Sequence, residues 1–153
     1  MPDIRPTIQP DDYFRLRFLQ DASLSPDGRW VAYQSRESGQ FEVYVQSFPE
    51  PTGRWQVSTN GGNAPEWRAD GKELYYLSPG AVLMAVEIRE GPGFEAGLPV
   101  ALFPSSLSTN AFAGRRYRLS TDGQRFLLRV PAGDRSIPPI TVVMNWAEEL
   151  GAR

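Results

Sequence analysis

The 153-residue chain contains no histidine and no cysteine. Without them no Ser-His-Asp or Cys-His nucleophile–base pair can be assembled. Zinc is left without its usual nitrogen and sulfur ligands, and disulfide and thiol chemistry are excluded. The Gly-x-Ser-x-Gly turn of a hydrolase is missing, as are the Gly-rich phosphate loop and the His-Arg-Asp loop of a protein kinase. There is no basic excess: Lys plus Arg number 16 and Asp plus Glu 18, a net charge of −2. Nucleic acid and anionic membrane surfaces are therefore not expected partners. No apolar run reaches the roughly 18 residues of a transmembrane helix, so no membrane insertion is expected. The opening MPDIRPTIQP has no apolar stretch of the signal-peptide kind. With Met1 as the natural start, the chain is expected in the cytoplasm. As a fragment of a longer protein, an extracytoplasmic setting is open to it.

What the chain does contain is a repeat. Ser25-Pro26-Asp27-Gly28 returns as Arg68-Ala69-Asp70-Gly71 and as Ser120-Thr121-Asp122-Gly123, with Asp-to-Asp spacings of 43 and 52 residues. Leu24, Trp67 and Leu119 stand three positions before each Asp. Apolar triplets follow it: Val31-Ala32-Tyr33, Leu74-Tyr75-Tyr76 and Phe126-Leu127-Leu128. A period of roughly 40–50 residues with strand-type segments reads as propeller blades. The 14 Gly and 14 Pro suit many short strands and turns. The predicted fold is all-β: three propeller-type blades of antiparallel strands, forming a partial propeller or one completed by oligomerisation.

Residues 1–20 read as an extended leader, with residues 13–19 alternating as a strand that could close a blade. The blades are predicted at about 22–62, 63–106 and 107–150. Predicted strands of the first are 22–25, 29–35, 41–48 and 54–58. Those of the second are 64–68, 73–77, 82–88 and 100–103, with a long loop from Glu90 through Gly97. The third has 117–120, 125–130 and 140–146, lacks a fourth strand, and ends in a short helical turn. Residues 105–114 read as a surface loop. Each Asp-Gly sits where a tight turn needs it, Gly taking positive φ and Asp accepting a local N–H.

These residues carry a family resemblance. Ser25-Pro26-Asp27-Gly28-Arg29-Trp30-Val31-Ala32-Tyr33 and Glu42-Val43-Tyr44-Val45 resemble the repeat of TolB-like, WD-repeat-like β-propellers. The run from Gly53 to Gly62 (GRWQVSTNGG) is similar to a narrower group, the propeller region closing many bacterial multidomain proteins, including receptor-type serine/threonine kinases. Pro92-Gly93-Phe94, Gly97-Leu98-Pro99 and Val142-Val143-Met144-Asn145-Trp146 fit the same pattern. The resemblance covers residues 22–150 and departs at Ala69 and Thr121, where Pro is usual. It implies a propeller that binds a protein or peptide.

The three Asp residues are read as turn formers, because the Asp-x-Asp/Asn-x-Asp/Asn-Gly calcium spacing is absent and equivalent positions in different blades do not bring carboxylates together. Among Trp30, Trp55, Trp67 and Trp146, which could line a pocket, Trp67 is expected in the core by its alignment with Leu24 and Leu119. Trp55 and Trp146 are expected to face solvent or a neighbouring blade. Tyr75-Tyr76 is read as one buried and one less buried residue. Arg115-Arg116 with Arg118 is the densest basic spot, read as a solvated strand edge, the alternative being an anion or partner contact. Pro138-Pro139 is expected to fix entry into the last strand. No catalytic, metal-binding or cofactor-binding residue is assigned, and no cofactor is expected. The expected function is non-enzymatic binding of a protein or peptide, with a homodimer completing the ring. The alternative is a sensor or accessory segment of a larger bacterial enzyme, a serine/threonine kinase or a prolyl-oligopeptidase-like peptidase.

Overall fold

The computed structural model describes residues 20–89, 91–110, 115–130 and 141–144. They form twelve strands and no helix. In the first blade, β1 (Gln20–Leu24), β2 (Trp30–Ser35), β3 (Glu42–Ser47) and β4 (Arg54–Gln56) pair antiparallel in that order. The second blade runs β5 (Asn63–Trp67), β6 (Glu73–Leu77) and β7 (Val82–Arg89). Two short strands, β8 (Glu95–Ala96) and β9 (Val100–Pro104), both pair with β7. The third has β10 (Tyr117–Leu119), β11 (Arg125–Leu128) and β12 (Thr141–Met144).

The described strands lie close to those predicted, with one local difference. The stretch from Glu90 to Gly97 is not simply a loop. β9 covers only the first half of β7, Val82 to Ala85, leaving the backbone at Ile88 and Arg89 as an open edge. Glu95 and Ala96 pair with that edge, which removes an unpaired ladder. The leader and strand predicted in residues 1–19, Pro138-Pro139, Trp146, the terminal helical turn and residues 111–114 lie outside the described residues.

The three Asp-Gly turns are built alike. Gly28, Gly71 and Gly123 have φ of +72°, +74° and +68°, the left-handed region that glycine enters without steric cost. Their N–H groups donate to the carbonyls of Ser25, Arg68 and Ser120, each at 2.9 Å. Each Asp accepts the N–H two residues on: Arg29 to Asp27 at 3.1 Å, Lys72 to Asp70 at 3.0 Å and Gln124 to Asp122 at 2.9 Å. Ser25 and Ser120 add a second clasp, donating to the Asp and accepting from the N–H of Trp30 (2.9 Å) and Arg125 (3.1 Å). At the same place in the second turn Arg68 pairs with Asp70 instead, at 3.4 Å.

Two apolar clusters hold neighbouring blades together. Ala32, Val43, Val45 and Val57 of the first blade meet Trp67, Leu74, Tyr76, Val86 and Phe94 of the second. Ala64, Tyr75, Leu77, Leu83 and Ala85 meet Leu107, Tyr117, Phe126 and Leu128. The middle blade is therefore covered on both faces, which corrects the reading of Tyr75-Tyr76. Successive side chains on a strand point to opposite faces, and both are buried, at 0% and 3% exposure. Trp67 is in the core as expected, 7% exposed, but its first-blade equivalent Leu24 is 52% exposed. Trp67 packs where the second blade abuts the first, whereas Leu24 belongs to neither apolar cluster.

A buried carboxylate fastens the passage between the first two blades. Glu42, 1% exposed, accepts from the Gly61 N–H at 2.9 Å, from Gln40 Nε2 at 2.7 Å and from Ser58 Oγ. Ser58 Oγ in turn accepts from the Val43 N–H at 2.7 Å. Gln34 adds a tie, its Oε1 accepting from the Ala64 N–H at 3.0 Å.

Candidate functional site

Each Asp of the repeat is engaged within its own turn, and among the described residues no three acidic side chains are grouped as metal ligands. Burial opposes ionisation of Asp27, but the bonds from Ser25 Oγ and the Arg29 N–H, with the Arg29 charge, outweigh it and hold the carboxyl below its ordinary value. The bonds from Ser120 and the Gln124 N–H do the same for Asp122. Burial pushes the phenol of Tyr75 far up, and its hydroxyl donates to Glu73. It is a structural donor, not a base.

The junction of the first and second blades opens, at the Asp-Gly end, into a cleft of about 490 Å³. Trp30, Trp67 and Ile88 give it apolar walls, and Asp27, Asp70, Arg29 and Arg89 supply charge. Trp67 Nε1 donates to the Ser23 carbonyl at 3.0 Å, which fixes the indole across the blade boundary. Trp30 is fixed by Trp55 and Phe94, with ring centroids 5.5 and 5.4 Å away. Phe94 reaches across from the β7–β8 connection, so Trp55 does face a neighbouring blade. Arg29 lies over Trp30, 5.4 Å from the ring centroid, where cation and ring face attract. The result is a cleft of mixed lining, part apolar and part polar, with charge of both signs.

The basic spot behaves differently from its reading as a solvated edge. Arg115 and Arg118 are exposed, and Arg118 pairs with Glu66 at 3.2 Å. Arg116 is buried, 1% exposed. Its Nη1 donates to Asn63 Oδ1, and its Nη2 lies 3.6 Å from Asp21 Oδ2. Burial disfavours its charge and the Asp21 carboxylate offsets part of that. Neither Asp21 nor Asn63 was singled out by sequence, because their meeting depends on three blades closing on one point.

The folded chain resembles a crystal structure of TolB from Acinetobacter baumannii, with a TM-score of 0.53 and 19% identity over 84% of this chain and 30% of that one. The fold is TolB-like. At that identity the likeness concerns the fold alone, and this chain spans less than a third of the TolB chain it matches. No family model matches the chain, and no curated protein matches it by sequence. Within the TolB-like arrangement the cleft lies between two consecutive blades. Of its lining, Trp30 and Trp67 were candidates from sequence, whereas Ile88 and Arg89 were not. They enter because the end of β7, past its pairing with β9, meets the first blade at the cleft, a placement across two blades that a strand pattern does not reveal.

Proposed function

We propose that the chain is a non-catalytic binding module that takes a segment of a protein or peptide into the cleft between its first and second blades. The observation that carries this is the cleft itself. Its volume is in the range of ligand pockets, about 300–1,000 Å³. Apolar walls ringed by exposed charge are the makeup of a protein-recognition surface, and rigid indoles lose little entropy on contact. A photo-crosslinking amino acid placed at Arg89 tests it, with the same group at Leu98, 86% exposed and outside the cleft, as control. A defined protein captured from Arg89 and not from Leu98, and lost on Arg29→Glu without a change in melting, is expected. Equal capture from both positions, or none, overturns the reading.

A second reading concerns the ring. Closed propellers have about 4–8 blades, and the described residues form three. Leu24 is exposed at the position where Trp67 fills a blade junction. Both features favour a homodimer in which another copy of the chain supplies the blade that packs there. Light scattering should give twice the chain mass, and Leu24→Arg should halve it while leaving melting unchanged. The alternative, an accessory segment of a larger kinase or peptidase, predicts a monomer in both cases, and that result removes the dimer.

A further inference from the structure

We infer that Asp21 and Arg116 frame a second recognition subsite, one that reads a neutral amide group. It lies away from the Asp-Gly cleft and is independent of the function proposed above. Asp21 belongs to the first blade, Asn63 to the second and Arg116 to the third. The first and third blades of an arc can touch only at its centre, so this is where β1, β5 and β10 converge. Asp21 sits in β1 at a φ of +47°, at a register break between Gln20 and Ser23. That bulge turns its carboxylate toward the third blade.

Three polar atoms here have no hydrogen-bond partner: Arg116 Nε, Arg116 Nη2 and Asp21 Oδ2, all buried. They stand at a half-open cavity of about 20 Å³, lined also by Ala64, Glu66, Arg115 and Tyr117. That is room for about one water-sized group, so only the polar head of a ligand can enter it. Of the other polar groups in the wall, Arg115 is exposed and two are engaged. Glu66 takes Arg118 at 3.2 Å, and the Tyr117 hydroxyl donates to the Ala64 carbonyl at 2.8 Å. Arg116 Nη1 is held by Asn63, which orients the guanidinium. What remains is specific. Nε–H and the adjacent Nη2–H form the parallel fork of arginine, and an acceptor stands beside it, with Asp21 Oδ2 at 3.6 Å from Nη2.

Leaving buried donors and acceptors unmatched is costly, so the group that fits must satisfy all three. An anion would satisfy the fork but face the Asp21 and Glu66 carboxylates. A cation would satisfy Asp21 but face Arg116 and Arg115. A carboxamide or peptide unit does both: its carbonyl accepts from the fork and its N–H donates to Asp21.

The test is a titration of the full chain, following the side-chain Nε–H resonance of Arg116 by NMR and assigning it by its loss in Arg116→Lys. The probes are acetamide, N-methylacetamide and acetate. Acetamide or N-methylacetamide should shift the resonance saturably in the millimolar range, as befits ligands of so few atoms, and at least about fivefold more tightly than acetate. Tighter binding of acetamide assigns the source to an Asn or Gln side chain, and tighter binding of N-methylacetamide to a peptide bond. Asp21→Asn tolerates the same left-handed backbone and removes the charge, so it should reverse the order in favour of acetate by about tenfold. Acetate equal to or tighter than the amides in the native chain overturns the inference, as does a resonance that none of the probes moves. The native comparison stands alone if the variant does not fold.

Discussion

Removing the Glu42 carboxylate tests whether the passage from the first blade to the second is held by one buried charge. The side chain is 1% exposed and takes three donors. In Glu42→Ala, Gln40 is exposed and turns to water at little cost. The Gly61 N–H and the Ser58 hydroxyl are buried and are left unmatched. At about 1–3 kcal/mol for each unsatisfied buried group, less the relief of no longer desolvating a carboxylate, the net loss is about 3 kcal/mol. Glu42→Gln keeps one acceptor oxygen and lets the Ser58 hydroxyl rotate to accept from the new amide, so its cost is about 1 kcal/mol. Ser58→Ala removes the acceptor of the Val43 N–H as well and should cost about 2 kcal/mol. The double variant should fall short of the sum by about 1–2 kcal/mol, because the two residues share one bond. Urea unfolding followed by tryptophan fluorescence measures all four, since Trp67 lies in the adjoining cluster. If Glu42→Ala and Glu42→Gln cost the same, or the alanine variant costs under about 1 kcal/mol, the carboxylate is not what fastens the passage.

Three further outcomes are expected. Gly28→Ala and Gly71→Ala should each cost about 1–2 kcal/mol from backbone strain alone, while Gly123→Ala should cost more, because its Cβ would press on the Arg68 guanidinium, 3.3 Å from Cζ; equal losses in denaturant unfolding would contradict this. Trp67→Ala should cost about 3–5 kcal/mol by cavity formation, against about 0.5 kcal/mol or less for exposed Leu24→Ala, read from the same unfolding curves. Stability should fall as the pH drops below the ordinary value of 3.8 for Asp27 and Asp122. Both native carboxyls bind a proton less readily than the unfolded chain does, so acid favours unfolding; Asp27→Asn with Asp122→Asn should flatten that fall, and an unchanged acid limb would argue against it.

The parts of this molecule that were legible in sequence are those whose chemistry is local. An Asp that accepts an N–H two residues away, beside a Gly at positive φ, needs no distant partner, so three copies of the tetrapeptide announced three turns and the blades between them. Trp67 was expected in the core by its alignment with Leu24 and Leu119, yet its burial comes from the junction with the first blade. Parts that depend on assembly were not. Arg116 looks like one of three surface arginines until Asn63, 53 residues earlier, and Asp21 meet it at the centre of the arc. One of Tyr75 and Tyr76 looked less buried because their two faces are covered by different neighbouring blades; for Tyr76 burial, and after it the Glu42 carboxylate, drive the phenol up to about 12. Glu42 itself reads as an ordinary strand residue, since its partners Ser58 and Gly61 lie beyond the next strand. The two residues of β8 fall below what any alternation pattern can register.

Equivalent positions in a repeat share backbone chemistry but not surroundings, and the difference is informative. Leu24, Trp67 and Leu119 occupy one place in three blades, yet Leu24 is open, Trp67 is closed in a blade junction, and Leu119 packs part-buried against the cluster joining the second and third blades. The turn motif is constant because its bonds are internal, so what distinguishes one surface of the chain from another is set where two or three blades meet. The cleft follows this rule, with Trp30 from one blade and Trp67, Ile88 and Arg89 from the next. So does the pair of Asp21 and Arg116, which no single blade could assemble. Substitutions at the junctions can therefore alter these surfaces while the Asp-Gly turns that hold the strands in register stay the same.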